Sequence, residues 1–170
     1  SCFPKDTRAI VDTGSKFKTN LSIIKAVIKS NKDRSKLLLD RVSKILKNKI
    51  RNKKICFLGV TFKANTDDMR ESSSIKMIPY LSNKGAKITY FDPTGYKKEF
   101  KNFKNVFNAK TINEACEDSD LIIIHTEWND FKSLNFDKLN KKKNFFIYDM
   151  RNILQNEKIK KNNKRDRKSV

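Results

Sequence analysis

The densest chemistry in the sequence lies at residues 59–74, Gly-Val-Thr-Phe-Lys-Ala-Asn-Thr-Asp-Asp-Met-Arg-Glu-Ser-Ser-Ser. Lys63 and Arg70 supply positive charge, and Ser72, Ser73 and Ser74 offer hydroxyls and a helix N-cap. Together these types suit an anionic ligand. The competing reading is a solvated turn in which Asp67, Asp68 and Glu71 pair locally with Lys63 and Arg70. A second group is Cys2, Lys5 and Asp6. A thiol becomes a nucleophile where a positive, partly shielded setting favours the thiolate. Lys5 is near in sequence, and Asp6 could orient a water; an ordinary terminal cysteine is the alternative. The third candidate is Arg151, just past the last apolar run, which by itself also reads as a surface charge.

These residues need elements to position them. Residues 54–58, Lys-Ile-Cys-Phe-Leu, form a short apolar run that predicts a buried parallel strand. Residues 75–81 carry apolar side chains at helical spacing, within a helix expected over 73–83 that Pro79 kinks and Lys84-Gly85 ends. The stretch 59–74 is then a strand-to-helix loop at the carboxyl end of the first strand, where open parallel sheets bind ligands. The helix start adds free N–H groups and positive potential. A second strand over 87–91 ends at Asp92-Pro93. In a dinucleotide-binding unit that aspartate could hold a ribose, but the Gly-x-Gly-x-x-Gly fingerprint is absent and only Gly59 is present. Asp92 is therefore read as part of a strand-ending turn. Thr111 and Glu114 stand at capping-box spacing before a short helix. Residues 121–126 are the strongest buried strand, with His125, the only histidine, read as structural. A last strand over 144–149 places Arg151 at its carboxyl end.

Ahead of this α/β unit, a short helix is expected within 7–17, broken near Gly14. Asn20 looks like the N-cap of a long amphipathic helix over 21–46, open to interruption near Asn31. Such a helix can pack on its own domain or pair with a second subunit.

Three motifs carry a resemblance. Phe-Lys, Thr-Asp-Asp and Arg-Glu-Ser at the spacing of 62–72, Thr-Glu-Trp at 126–128, and Ser-Cys-Phe-Pro-Lys-Asp at 1–6 resemble the UDP-glucose/GDP-mannose dehydrogenase family. The similarity covers the chain to about residue 154. It implies a Rossmann-like parallel-sheet UDP-binding domain preceded by a long amphipathic helix. The implied divisions are an active-site-loop remnant over 1–19 and a connecting or dimerisation helix over 20–52. The UDP-binding domain follows over 53–154, and a disordered basic tail over 155–170. The Phe-Pro-Lys-Asp form resembles the members that oxidise UDP-glucose. The resemblance implies NAD as cofactor, UDP-glucose as substrate and UDP-glucuronate as product, with Cys2 as catalytic nucleophile and Asp6 assisting proton transfer or water positioning. Lys5 and Arg70 would contact NAD, and Lys63 and Arg151 the UDP-sugar. Met150 stands where the family has glycine. The family's NAD domain is not in this chain, so the chain is expected to be inactive alone, with a complementing N-terminal NAD-domain chain as a possible partner; a homodimer through the long helix is also possible. The missing initiator Met and the short tail read as signs of a fragment.

Composition bounds the alternatives. The net charge of +20 admits nucleic acid as a partner. Against this, 31 lysines outnumber 8 arginines and are spread along the chain, unlike an arginine-rich base-reading or phosphate-forking surface. Specific nucleic-acid recognition is not expected; sequence-blind polyanion binding, or nucleotide-sugar binding without catalysis, are the alternatives. The three cysteines have neither metal-ligand spacing nor a disulfide framework. Without a membrane-length apolar run or a leader pattern, a cytoplasmic location is expected.

Overall fold

A computed structural model describes residues 2–154 and 164–166. Two helices, α1 (Cys2–Lys16) and α2 (Ser22–Ile45), lead into an alternating unit. Its order is β1 (Lys54–Leu58), α3 (Ser74–Asn83), β2 (Lys87–Phe91), β3 (Val106–Asn108), α4 (Ile112–Cys116), β4 (Leu121–Ile124), α5 (Phe136–Leu139), β5 (Phe146–Asp149) and β6 (Lys164–Asp166). Every recorded pairing is parallel, and the strand order is β3-β2-β1-β4-β5-β6. The order reverses between β1 and β4, so loops leaving those two strands diverge and open a crevice at their carboxyl ends.

Alternation along buried strands divides the core into two layers. Ile55 and Phe57 of β1, with Leu121 and Ile123 of β4, face Leu38 and Val42 of α2 and Met77, Ile78 and Leu81 of α3. Cys56, Leu58, Ile122 and Ile124 face Cys116 of α4, Phe131 and Phe136. The Cys56 and Cys116 sulfurs lie 4.0 Å apart as free thiols, and burial, then the Cys116 contact, pushes the Cys56 thiol well up. Their packed role matches the sequence reading. Thr111 caps α4 through the Glu114 N–H at 3.1 Å, while the Glu114 carboxylate turns back to the Lys110 N–H at 2.7 Å.

The helices before the sheet differ from expectation. α1 is not broken at Gly14; it runs to Lys16. It ends in a Schellman turn, with Thr19 N–H donating to Gly14 O at 2.8 Å, Lys18 N–H to Ser15 O at 3.2 Å and Lys18 at φ 55°. Gly14 sits beneath the Leu21 side chain: a Cβ there would lie 2.5 Å from Leu21 Cδ1, so the leucine would have to shift. Leu21, not Asn20, precedes α2, with no side-chain cap. α2 continues through Asn31 for 24 residues. Its second half enters the core through Leu38 and Val42, whereas Ile23 and Leu37 are exposed. Within the stretch read as a disordered tail, Lys164–Asp166 pairs with β5; the rest of that stretch lies outside the described residues. No helix among the described residues is long and apolar enough to cross a membrane.

Candidate functional site

Two buried aspartates at strand ends shape the loops that reach the crevice. Asp92, just past β2, accepts from Val60 N–H at 2.8 Å and Thr61 N–H at 3.3 Å through Oδ2, and from Thr94 N–H at 3.0 Å through Oδ1. Buried Lys97 lies 3.8 Å away and offsets its charge. Asp149, at the end of β5, accepts from Arg151 N–H at 3.2 Å, Ile153 N–H at 3.3 Å and Leu154 N–H at 3.0 Å. A carboxylate taken out of water needs such donors. One aspartate thus sets the loop that carries Lys63, and the other sets the turn that carries Arg151. The turn reading of Asp92 holds, and it reaches across to the neighbouring strand's loop.

The first turn after β1 is tight. Gly59 has φ +75°, and a Cβ there would sit 2.5 Å from Thr126 Cβ. A side chain would drive β1 and β4 apart where they diverge. Met150 has no such need: it is not among the left-handed residues, and Asn152, at φ 53°, takes the positive φ of this turn. Met150 N–H donates to Ile124 O at 3.1 Å, and its side chain packs on the core.

A cleft of about 900 Å³ opens over the divergence of β1 and β4, walled by α1 and α2 on one side. Among the described residues its lining contains six cations, Arg8, Lys32, Arg34, Lys63, Lys76 and Arg151, against the carboxylates of Glu71 and Glu127. Facing cations in a concave site focus positive potential and favour an anion. Lys63 is exposed at the rim, with no ion-pair partner among the described residues. Arg151 is a brace as well as a charge. Its Nε–H donates to His125 O at 2.8 Å and its Nη2 to Phe62 O at 3.1 Å, tying three loops together. Glu127 Oε2 lies 3.0 Å from Nε without accepting a hydrogen bond, so the pair is held by charge.

The structure therefore brings Lys63 and Arg151 together and sets the other candidates elsewhere. Arg70 is outside the cleft lining and forked onto Asp68, with both N···O distances 2.9 Å. That local pair matches the solvated-turn reading for Arg70, while Glu71 instead reaches Arg8 of α1 at 3.2 Å. Lys5 and Asp6 are exposed on α1. The Cys2 side chain lies outside the described residues. Ser72, although it lines the cleft, and Ser74 both turn their hydroxyls inward to Val60 O, at 2.7 and 2.5 Å. Ser73 occupies the N-cap position but makes no capping bond.

Sequence reasoning missed Ser73 and His125 as a pair. His125 is buried yet lines the cleft, and its Nε2 lies 2.8 Å from Ser73 Oγ. The contact joins residues 52 apart, so no local pattern signals it. Burial, then the charge of Arg151, lowers the imidazole pKa to about 3. Burial thus makes the ring a weaker base than the general base of a nucleophilic dyad requires. The β1 turn also does not fit a dinucleotide pyrophosphate, because the Val60 and Thr61 N–H groups that such a turn would offer are committed to Asp92.

A fold of this strand order, with a cationic crevice at its reversal point, is a Rossmann-like α/β domain whose crevice suits an anionic ligand. The model of the UDP-glucose/GDP-mannose dehydrogenase family, UDP binding domain, matches residues 56–156, and the chain belongs to that family. The UDP-glucose 6-dehydrogenase of Rickettsia felis is 40% identical over 164 residues, covering 95% of this chain and 37% of that protein. The UDP-glucose 6-dehydrogenase of Rhizobium meliloti is 36% identical over 162 residues, again covering 95% and 37%. A solved UDP-glucose dehydrogenase from Pyrobaculum islandicum superposes with a TM-score of 0.74 at 27% identity, over 88% of this chain and 33% of that one. The chain thus spans little more than a third of the length of these relatives.

Proposed function

We propose that the chain is the UDP-sugar-holding, carboxyl-terminal part of an NAD-dependent UDP-glucose 6-dehydrogenase, acting in the cytoplasm. The observation that carries this reading is the cleft at the β1/β4 divergence, where Lys63 and Arg151 lie among six cations. A diphosphate brings negative charge to such a site, and a cation aimed at it contributes a charge-assisted hydrogen bond. Lys63 has its charge to offer; Arg151 holds the three surrounding loops while presenting its own. Free buried thiols 4.0 Å apart are consistent with a reducing compartment.

NAD does not fit the β1 turn of this domain, so the hydride acceptor belongs to a second domain, with Lys5 and Arg70 reaching toward it. Oxidation of the sugar's primary alcohol to the acid removes two hydrides. Cys2 would capture the intermediate aldehyde as a thiohemiacetal, which is oxidised to a thioester. Asp6 would position the water that releases UDP-glucuronate and regenerates the thiol. The exposed apolar side chains of α2 would serve the contact with a second copy of the chain.

Calorimetry with UDP-glucose tests the cleft. Lys63→Ala is expected to weaken binding roughly tenfold, the scale of one charged hydrogen bond. Equal affinity in the variant would remove the β1 loop from the site. Mixing the chain with an NAD-binding domain of a relative tests the rest. NADH formation from UDP-glucose is expected only in the mixture, and Cys2→Ser should stop acid release. Binding without redox activity in every such mixture would leave a non-catalytic nucleotide-sugar-binding protein.

A further inference from the structure

The hydrogen bonds that cross the β1/β4 divergence have a fixed direction. Thr126 Oγ1 donates its only proton to Thr61 O at 2.9 Å. Its contact with His125 Nδ1, at 3.1 Å, therefore requires the ring nitrogen to donate. With the proton on Nδ1, Nε2 is bare and accepts the Ser73 hydroxyl proton at 2.8 Å. Burial of His125 keeps the ring neutral, so Nε2 gains no second proton near neutral pH. The chain of bonds starts from a backbone carbonyl, which can only accept, and that end cannot reverse. Ser73 is thus left with a spent proton and unused lone pairs on a side chain that lines the cleft.

Resting on the reading of the cleft as a UDP-sugar site, we infer that Ser73 is a locked hydrogen-bond acceptor that recognises a donor group of the ligand, a hydroxyl or the uracil N–H. A serine free to rotate would accept or donate and would discriminate little. A serine whose proton is committed rejects an acceptor presented at the same place, because two facing acceptors leave both unsatisfied. The cationic rim attracts any anion of suitable size; the relay would add preference for a nucleotide sugar over a bare anion. Its position explains the tight β1 turn, since a side chain at Gly59 would displace Thr126 and with it the proton on His125.

The chain has one histidine, so its ring nitrogens can be read without assignment ambiguity. Nitrogen NMR of the labelled full chain at neutral pH is expected to show a neutral ring protonated at Nδ1; a ring protonated at Nε2 would overturn the inference. NMR titrations with UDP-glucose, UDP and inorganic sulfate then compare the parent chain with Ser73→Ala and Ser73→Thr. Sulfate is fully ionised and carries no donor. Ser73→Ala is expected to weaken UDP-glucose about 3–10-fold, the scale of one neutral hydrogen bond, and to leave sulfate unchanged; Ser73→Thr should restore affinity. A matching loss with UDP assigns the donor to the nucleoside, and a loss confined to UDP-glucose assigns it to the hexose; either supports the inference. Equal weakening of sulfate, or unchanged UDP-glucose binding by Ser73→Ala, would overturn it while the cleft reading stands. A parent chain that binds none of the three would overturn both.

Discussion

The two ends of the parallel sheet carry similar residues to different ends. At the amino end, Asp120 accepts from Lys142 Nζ at 2.8 Å, Lys53 Nζ at 3.3 Å and Lys54 N–H at 2.9 Å. Burial by itself would raise its pKa; the bonds from Lys142 and Lys54 win, and the carboxyl is held below its usual range. One carboxylate there gathers the nearby cations. At the carboxyl end, Asp149 is taken up by backbone N–H groups of its own turn and Asp92 chiefly by those of the neighbouring β1 loop, so the cleft keeps a surplus of positive charge. At the amino end the acid gathers lysines and fastens the chain; at the carboxyl end the two aspartates are taken up by loop amides and, for Asp92, by buried Lys97, which leaves the lining cations of the cleft facing only Glu71 and Glu127 among the described residues.

The largest expected effect comes from breaking the carboxyl-end arrangement at Asp92. Asp92→Ala frees the β1 loop amides and leaves Lys97, only 5% exposed, without its carboxylate. Uncompensated burial of that charge should cost about 3–5 kcal/mol. Chemical denaturation measures it, and a cost below about 1 kcal/mol would deny the clamp.

Acid sharpens the contrast next. Unfolded, the imidazole takes a proton near pH 6.5; folded, it refuses one until about 3. The unfolded state thus binds more protons throughout that window, and stability falls as pH drops from 6.5 towards 3. The contribution is fully present above 6.5 and declines by up to about 1.4 kcal/mol per pH unit. His125→Asn should flatten that part of the profile; an unchanged slope would place the acid sensitivity elsewhere.

The smallest effect belongs to the amino end. Asp120→Asn keeps the shape and removes the charge, and should cost about 1 kcal/mol. UDP-glucose affinity measured in parallel should not change, because the residue sits at the far end of β4. A large fall in affinity would mean that the two ends are coupled.

Much of this was legible in the residues. The apolar runs at 54–58, 121–126 and 144–149 announced buried parallel strands, because strands covered on both faces have no polar side to show. Lys63 and Arg151 could be placed at strand ends from the same runs, and the two lie together in the cleft. α1 was harder: the glycine that argues for a break locally is carried inside the helix at 14, under the Leu21 side chain, and the chain turns only at Lys18.

By itself, the sequence determined the main buried strands at 54–58, 87–91, 121–124 and 146–149 and the helix between the first two, where the loop cations fall, and which family the chain resembles, since each rests on local spacing and residue type; the strand at 164–166, the short helix at 136–139 and the unbroken first helix were not legible in it. The tertiary structure alone decided which polar groups those segments spend on one another. Asp92 serves the loop of a different strand, Arg70 is drawn to Asp68 while Lys63 has no ion-pair partner among the described residues, and Ser73 meets His125 across 52 residues. A hydrogen bond requires its atoms within about 3 Å, and only the folded sheet, with its order reversing between β1 and β4, sets those distances.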